Sequence, residues 1–74
     1  MARLGTTTAR WQMRRDGMQR DIALRSDGVL LEKCTWLKED GHVDFGDGWK
    51  IKSRHPKPLD FIREWMARNG YTEL

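Results

Sequence analysis

The chain has little of what usually holds a small protein together. It has one cysteine, Cys34, in 74 residues, so no intramolecular disulfide forms, and no CxxC or HxxxH spacing offers a structural metal site. A chain of this length has room for one small core and buries only about 60% of the surface that its unfolded form exposes. We therefore expect a single domain over residues 1–74, with marginal stability, and self-association into a homo-oligomer as the remaining common source of stability.

Long hydrophobic runs are also missing. No apolar run approaches the roughly 18 residues of a membrane span. The N-terminal segment, residues 1–8, lacks the apolar stretch of a secretory signal. We expect no membrane partner and a cytoplasmic protein, and we expect residues 1–8 to form a flexible tail ahead of the first patterned segment.

The sequence has no recognisable catalytic or cofactor motif. His42 and His55 are the only histidines, both beside turn signals, and no serine, cysteine or carboxylate stands in a spacing tied to nucleophilic catalysis. The aspartates at 40, 44 and 47 lack the spacing and the final glutamate of a calcium loop, and no glycine-rich phosphate loop is present. These absences favour a protein that is not an enzyme and that uses no metal or other cofactor.

Asp-Gly dipeptides, by contrast, are abundant. Four of them occur, at 16–17, 27–28, 40–41 and 47–48, each between runs in which apolar and polar residues alternate. Tight hairpin turns need positive φ at one or both central residues, which Gly adopts freely and Asp tolerates better than most residues. The dipeptides therefore predict a β-meander.

The runs between these turns differ in their patterns. Residues 9–15 alternate strictly, residues 18–25 less regularly, and residues 29–37 are apolar on both sides, as in a central strand. Residues 42–54 have two interpretations: a second hairpin turned at 46–48, or one continuous strand with a glycine bulge there. The sequence does not separate the two. Alternation places Trp11 and Trp49 opposite the basic residues of their strands, so we expect both tryptophans in the core.

A helix is predicted after the strands. Pro56 and Pro58 end the strand region, and apolar residues then recur at helical spacing over 58–69, which predicts an amphipathic helix. Gly70 is placed as the left-handed residue beyond the helix, which would turn Tyr71 back toward Met66. The helix is expected to pack on one face of the sheet through Leu59, Ile62, Trp65 and Met66.

The predicted fold is thus α+β, an antiparallel β-meander of four or five strands followed by one C-terminal amphipathic helix, in the order β-β-β-β(-β)-α. Strands closed by a helix are similar in order to single-stranded-DNA-binding transcriptional coactivators and to Pur-type modules, and the similarity is confined to that order. One helix covers one face of such a sheet. The other face must be polar, curl into a barrel or pack against something else.

Charge distribution gives the only functional signal. Net charge is +3, with an acidic block at 39–47 and a basic block at 50–57. Basic residues of two predicted strands would neutralise phosphates, with Trp11, Trp36 or Trp49 stacking on splayed bases. Against this, the alternation that assigns Trp11 and Trp49 to the core weakens their case for stacking. The predicted nucleic-acid-binding residues are Arg10, Arg14, Arg15, Lys50, Lys52 and Arg54.

We therefore expect a non-enzymatic binding module, with single-stranded nucleic acid as the favoured partner. The alternative is a small accessory or inhibitor protein, of the kind encoded by phages and plasmids, that acts on a larger protein. Such a protein would use its acidic loop, its basic strand or its aromatic surface. Nucleic-acid binding predicts an affinity that falls steeply with salt, whereas an inhibitor predicts one tight protein partner.

Overall fold

A computed structural model describes residues 6–54 and 56–74. Within them, an antiparallel sheet has the order β4-β3-β2-β1-β6, and β5 also pairs with β3. A single helix follows β5, so the predicted α+β fold with a meander and a C-terminal helix is confirmed. The elements are β1 (Thr7–Arg15), β2 (Met18–Arg25), β3 (Leu30–Leu37), β4 (Val43–Gly46), β5 (Lys50–Ser53), α1 (Leu59–Arg68) and β6 (Thr72–Glu73).

Three of the Asp-Gly dipeptides turn hairpins as predicted. Asp16 and Gly17 have φ of 52° and 75° and join β1 directly to β2, as in a type I′ turn. Gly28 and Gly41, with φ of 86° and 89°, each end a three-residue loop. The N–H of each glycine donates to the carbonyl three residues earlier, at 3.0 and 2.9 Å. Positive φ at glycine therefore sets the meander, because it lets these short loops reverse the chain.

The fourth dipeptide, Asp47-Gly48, makes no hairpin. β4 pairs with residues 35–37 of β3 and β5 pairs with residues 30–32, so the two segments follow one another along the same neighbour. Gly46 approaches β3 closely, since a Cβ there would lie 3.2 Å from the Cys34 carbonyl oxygen, and Gly48 lacks the positive φ of a hairpin turn. The hairpin interpretation of 42–54 is wrong. The bulged-strand interpretation is right that both halves follow one neighbour, but the strand is not continuous, because residues 47–49 separate β4 from β5.

Both ends of the described chain add strand pairing that the sequence pattern did not predict. β1 begins at Thr7, so the last two residues of the predicted flexible tail, Thr7 and Thr8, belong to the strand, while residues 1–5 lie outside the described residues. β6 pairs with β1 at Gln12 and Trp11. The chain after α1 thus returns to the sheet and extends it by one short strand.

The core lies between α1 and the sheet. Ile62 and Met66 of α1 are 3% and 1% exposed and contact one cluster of buried residues, formed by Trp11, Ile22, Leu24, Leu30 and Tyr71. Trp11 is therefore a core residue, as predicted. Leu59 and Trp65 are 36% and 40% exposed, so their predicted packing in the core is wrong. The side of this ten-residue helix that contacts the sheet is centred on Ile62 and Met66, so Trp65 lies at the flank of the helix.

The C-terminus of α1 has the predicted cap. Gly70 has φ of 83°, and its N–H donates to the Ala67 carbonyl at 3.2 Å. The Tyr71 N–H donates to the Met66 carbonyl at 3.0 Å, which completes a Schellman motif. This cap places the buried Tyr71 side chain in the same cluster as Met66 and aims the chain toward β1.

The molecule is flat because α1 packs on one face of the sheet and no described element packs on the other. Its principal extents are 37 × 34 × 17 Å, and its radius of gyration is 13.2 Å, against roughly 11 Å for a compact chain of this length. We call the side that packs against α1 the helix face and the opposite side the open face. No helix or strand of residues 6–54 and 56–74 covers the open face, whose side chains include Arg10, Gln12, Arg14, Gln19, Asp21, Ala23, Leu31, Lys33, Thr35, Trp49 and Ile51.

Candidate nucleic-acid interface

The predicted basic residues do not form one patch. β1 and β5 belong to the same sheet, but β2 and β3 lie between them. Arg10 and Arg14 alternate with the buried Trp11 and lie on the open face, whereas Arg15, one residue further along β1, falls on the side of the helix face. The structure therefore brings only two of the six predicted residues together on the open face.

The basic residues at and after β5 are placed differently. Lys52 Nζ lies 3.2 Å from Glu32 Oε2 and 5.7 Å from the ring centroid of Trp65, so this side chain is directed to the helix face. Lys50 Nζ lies 3.2 Å from Asp47 Oδ2. Arg54 is exposed just after the end of β5. Two of these three cations therefore already have an acidic partner within the chain.

A lysine that the sequence pattern did not single out completes the open face. Lys33 Nζ lies 5.9 Å from the ring centroid of Trp49, within the range of a cation–π contact. Trp49 is 43% exposed, so its predicted place in the core is wrong: it precedes an edge strand on the side that no helix covers. Strand alternation in β3 could have placed Lys33 on the same face as Leu31, but β3 was interpreted as a strand with two apolar faces.

Side-chain hydrogen bonds hold the neighbouring part of the open face in place. Asp21 is 6% exposed, and its carboxylate accepts from Gln12 Nε2 at 3.1 Å and from Gln19 Nε2 at 3.0 Å. Gln19 Oε1 in turn accepts from Arg14 Nε at 2.8 Å. These bonds use one donor of the Arg14 guanidinium and orient the rest, and the terminal NH₂ groups of an arginine suit a phosphate oxygen.

Two shallow recesses adjoin the Lys33–Trp49 pair on the open face. One, of about 550 Å³, is lined by Arg14, Gln19 and Lys33 among other residues, and the second, of about 440 Å³, is lined by Arg10, Leu31 and Trp49. The open face thus presents Lys33 beside the exposed indole, Arg10 in the same recess as that indole, and Arg14 in the neighbouring recess. Its acids are already engaged, since Asp21 accepts from the two amides and Asp47 pairs with Lys50. The surface is therefore suited to an anionic, partly aromatic ligand.

Within the described residues, no three His, Cys, Asp or Glu side chains are grouped so that they could hold a metal ion. No described helix has the length and hydrophobicity to cross a bilayer. His55 lies outside the described residues. Comparison with known proteins gave no matching family model, no significantly similar curated protein and no significantly similar solved structure.

Proposed function

We propose that the open face binds single-stranded nucleic acid with little sequence preference. The observation that supports this proposal is the exposed Trp49 ring beside the Lys33 ammonium, on the same face as Arg10 and Arg14. Sequence-tolerant single-strand binders combine cations that contact the backbone with aromatic rings on which bases stack, and each stacked base contributes about 1–3 kcal/mol. All four side chains belong to or adjoin a hydrogen-bonded sheet, so little ordering is needed on binding.

A single strand suits this surface better than a duplex. Stacking on Trp49 needs a base whose flat side is accessible, and in a duplex the neighbouring base pairs cover it. Sequence reading in a duplex also needs an element that enters a groove. The open face consists of strands in a layer, with recesses rather than a projecting element.

The test measures binding of labelled single-stranded and double-stranded DNA by fluorescence anisotropy at a series of salt concentrations. The open-face variant combines Arg10→Ala, Arg14→Ala and Lys33→Ala. Each lost phosphate contact lowers the slope of log K against log salt by roughly 0.7 for a single strand, so loss of three contacts lowers it by about 2. We expect the wild type to prefer the single strand and the variant to bind weakly with a flatter salt dependence.

The control variant removes the same number of charges from the segment at β5, by Lys50→Ala, Lys52→Ala and Arg54→Ala. Its binding should fall less than that of the open-face variant, because Lys50 and Lys52 are already paired with acids and Lys52 is directed to the helix face. Equal loss in both triple variants would show that only total charge matters and that the open face is not the site. No binding by the wild type at low salt, where screening is weakest, would remove the proposal altogether.

A protein partner remains a second candidate, and the flank of α1 favours it. Phe61 and Trp65 are 53% and 40% exposed and line a groove of about 170 Å³ beside Lys52 and Lys57. Each of these lysines lies 5.7 Å from the centroid of one of the two rings. An accessory or inhibitor protein acting on an acidic segment of a larger protein would use this groove. Phe61→Ala with Trp65→Ala would then abolish binding to that protein and leave oligonucleotide binding unchanged.

A further inference from the structure

The outer strand of the sheet has an unpaired edge. β4 and β5 pair with β3 on one side, and no described strand lies on their other side. From residue 43 to residue 53 this edge extends for roughly 35 Å at about 3.3 Å per residue. The unpaired N–H and C=O groups of an edge strand form a template for pairing with another strand.

The charges along this edge are opposite in its two halves. Asp44 and Asp47 precede Gly48, and Lys50 and Lys52 follow it. If two copies of the strand run antiparallel about a two-fold axis near Gly48, the acidic half of each copy faces the basic half of the other. Opposite charges across paired strands are favourable, and like charges directly opposite are destabilising. The edge is therefore complementary to itself in that one arrangement, which is the requirement for a closed two-fold dimer.

The present partners of these charges do not compete strongly with such a contact. The Lys50–Asp47 pair has side chains that are 59% and 53% exposed, and exposed pairs contribute about 0–1 kcal/mol. Asp44 forms no ion pair with any residue that the structure describes. Re-pairing Asp44, Asp47 and Lys50 with a second copy therefore costs little. Lys52 is held more firmly, because its pair with Glu32 has side chains that are only 31% and 19% exposed, and it adds positive charge to the edge without leaving that pair.

Apolar side chains accompany the charges. Val43, Phe45 and Ile51 are 62%, 57% and 44% exposed. The Phe45 ring stacks on Trp36 of β3, with centroids 5.9 Å apart, so it is held at the edge. Pairing with a second copy would shield these side chains from water, and burial of apolar area is the main favourable term in association.

We infer that the chain forms a two-fold dimer in which the β4–β5 edge pairs antiparallel with the same edge of a second copy. The two four-residue segments, 43–46 and 50–53, form the ladders, and Gly48 lies near the axis. The two sheets then continue into each other, and Asp47 and Trp49 of each copy flank the axis on the open face. Self-association needs no nucleic acid, so it is measured in its absence and its failure leaves the proposed function standing.

The test uses two charge-reversal variants and sedimentation equilibrium. The basic-edge variant carries Asp44→Lys and Asp47→Lys, and the acidic-edge variant carries Lys50→Glu and Lys52→Glu. The wild type should be dimeric at high micromolar concentration and each variant alone monomeric, because like charges then face each other. An equimolar mixture of the two variants should restore the dimer.

A matched control changes the net charge by the same amount as the basic-edge variant but away from the edge, through Glu64→Lys on α1 and Glu73→Lys on β6. It should remain dimeric. Circular dichroism checks that each variant is folded. Asp44→Lys alone changes one exposed residue that has no ion partner among the described residues, so it tests the same charge reversal with less risk to folding. A monomeric wild type overturns the inference. So does a dimer that persists in folded variants, or a mixture that stays monomeric.

Discussion

Removal of the Met66 side chain tests the packing between α1 and the sheet. Met66 is 1% exposed and, with Ile62, joins α1 to the cluster that includes Trp11 and Ile22. Replacing a buried Met by Ala costs about 2–5 kcal/mol, as lost transfer free energy plus the cavity left behind. At about 0.05–0.15 kcal/mol per residue, a chain of 74 residues has roughly 4–11 kcal/mol in total. Met66→Ala therefore removes a large part of the free energy of unfolding.

Thermal and urea unfolding, followed by circular dichroism, measure the effect. Each 1 kcal/mol lowers the Tm of a domain of this size by about 4–8 °C, so Met66→Ala should melt at least about 8 °C below the wild type. Trp65→Ala is the comparison: its side chain is larger but 40% exposed at the flank of α1, and its loss should cost less than that of Met66. If Trp65→Ala proves the more destabilising of the two, α1 does not dock along Ile62 and Met66.

Two further predictions concern the hairpin loops. Gly28→Ala and Gly41→Ala each place a side chain at a residue with positive φ, which costs about 1–2 kcal/mol. Gly28→Ala should cost more, because a Cβ at Gly28 would lie 3.0 Å from Pro56 Cβ, whereas a Cβ at Gly41 would have nothing within 4 Å. Equal losses of stability in urea unfolding would contradict this contact. The loop carboxylates should give acid sensitivity. The pKa of Asp27 is lowered by the side-chain hydrogen bond from Arg25, and that of Asp40 by the backbone N–H of His42. Their contribution is thus present above roughly pH 4 and lost as the pH falls through the lowered values. In the double variant Asp27→Asn and Asp40→Asn, the Tm should fall less steeply with decreasing pH than in the wild type.

The features that the sequence predicted are those set by local backbone conformation. Asp16-Gly17, Gly28, Gly41 and Gly70 each adopt positive φ, and that conformation alone fixes a turn or a helix end. The alternation around Trp11 was also sufficient, because β1 lies inside the sheet and is covered by α1 along one side. The meander, the helix and its cap could be predicted because they depend on interactions between residues that are close in the sequence.

The features that it did not predict depend on neighbours distant in the chain. Alternation separates two faces of a strand but does not say which face a helix will cover, so Trp49 was assigned to the core although its side of the sheet is open. Lys52 was expected on a solvent-facing side for the same reason: it alternates with Ile51, which lies on the open face, so it falls on the side that α1 covers. Lys33 was missed because β3 was expected to be apolar on both sides.

The four tryptophans offer the most direct test of the proposed nucleic-acid interface. Trp49 lies on the open face, Trp11 in the core, Trp65 on the flank of α1 and Trp36 beside Phe45 on the helix face. Their indole N–H signals, assigned by nuclear magnetic resonance and followed as a single-stranded oligonucleotide is added, report on each surface separately. Binding on the open face predicts a large shift of the Trp49 signal and little change in those of Trp11 and Trp65. A bound oligonucleotide that leaves the Trp49 signal in place would contradict it.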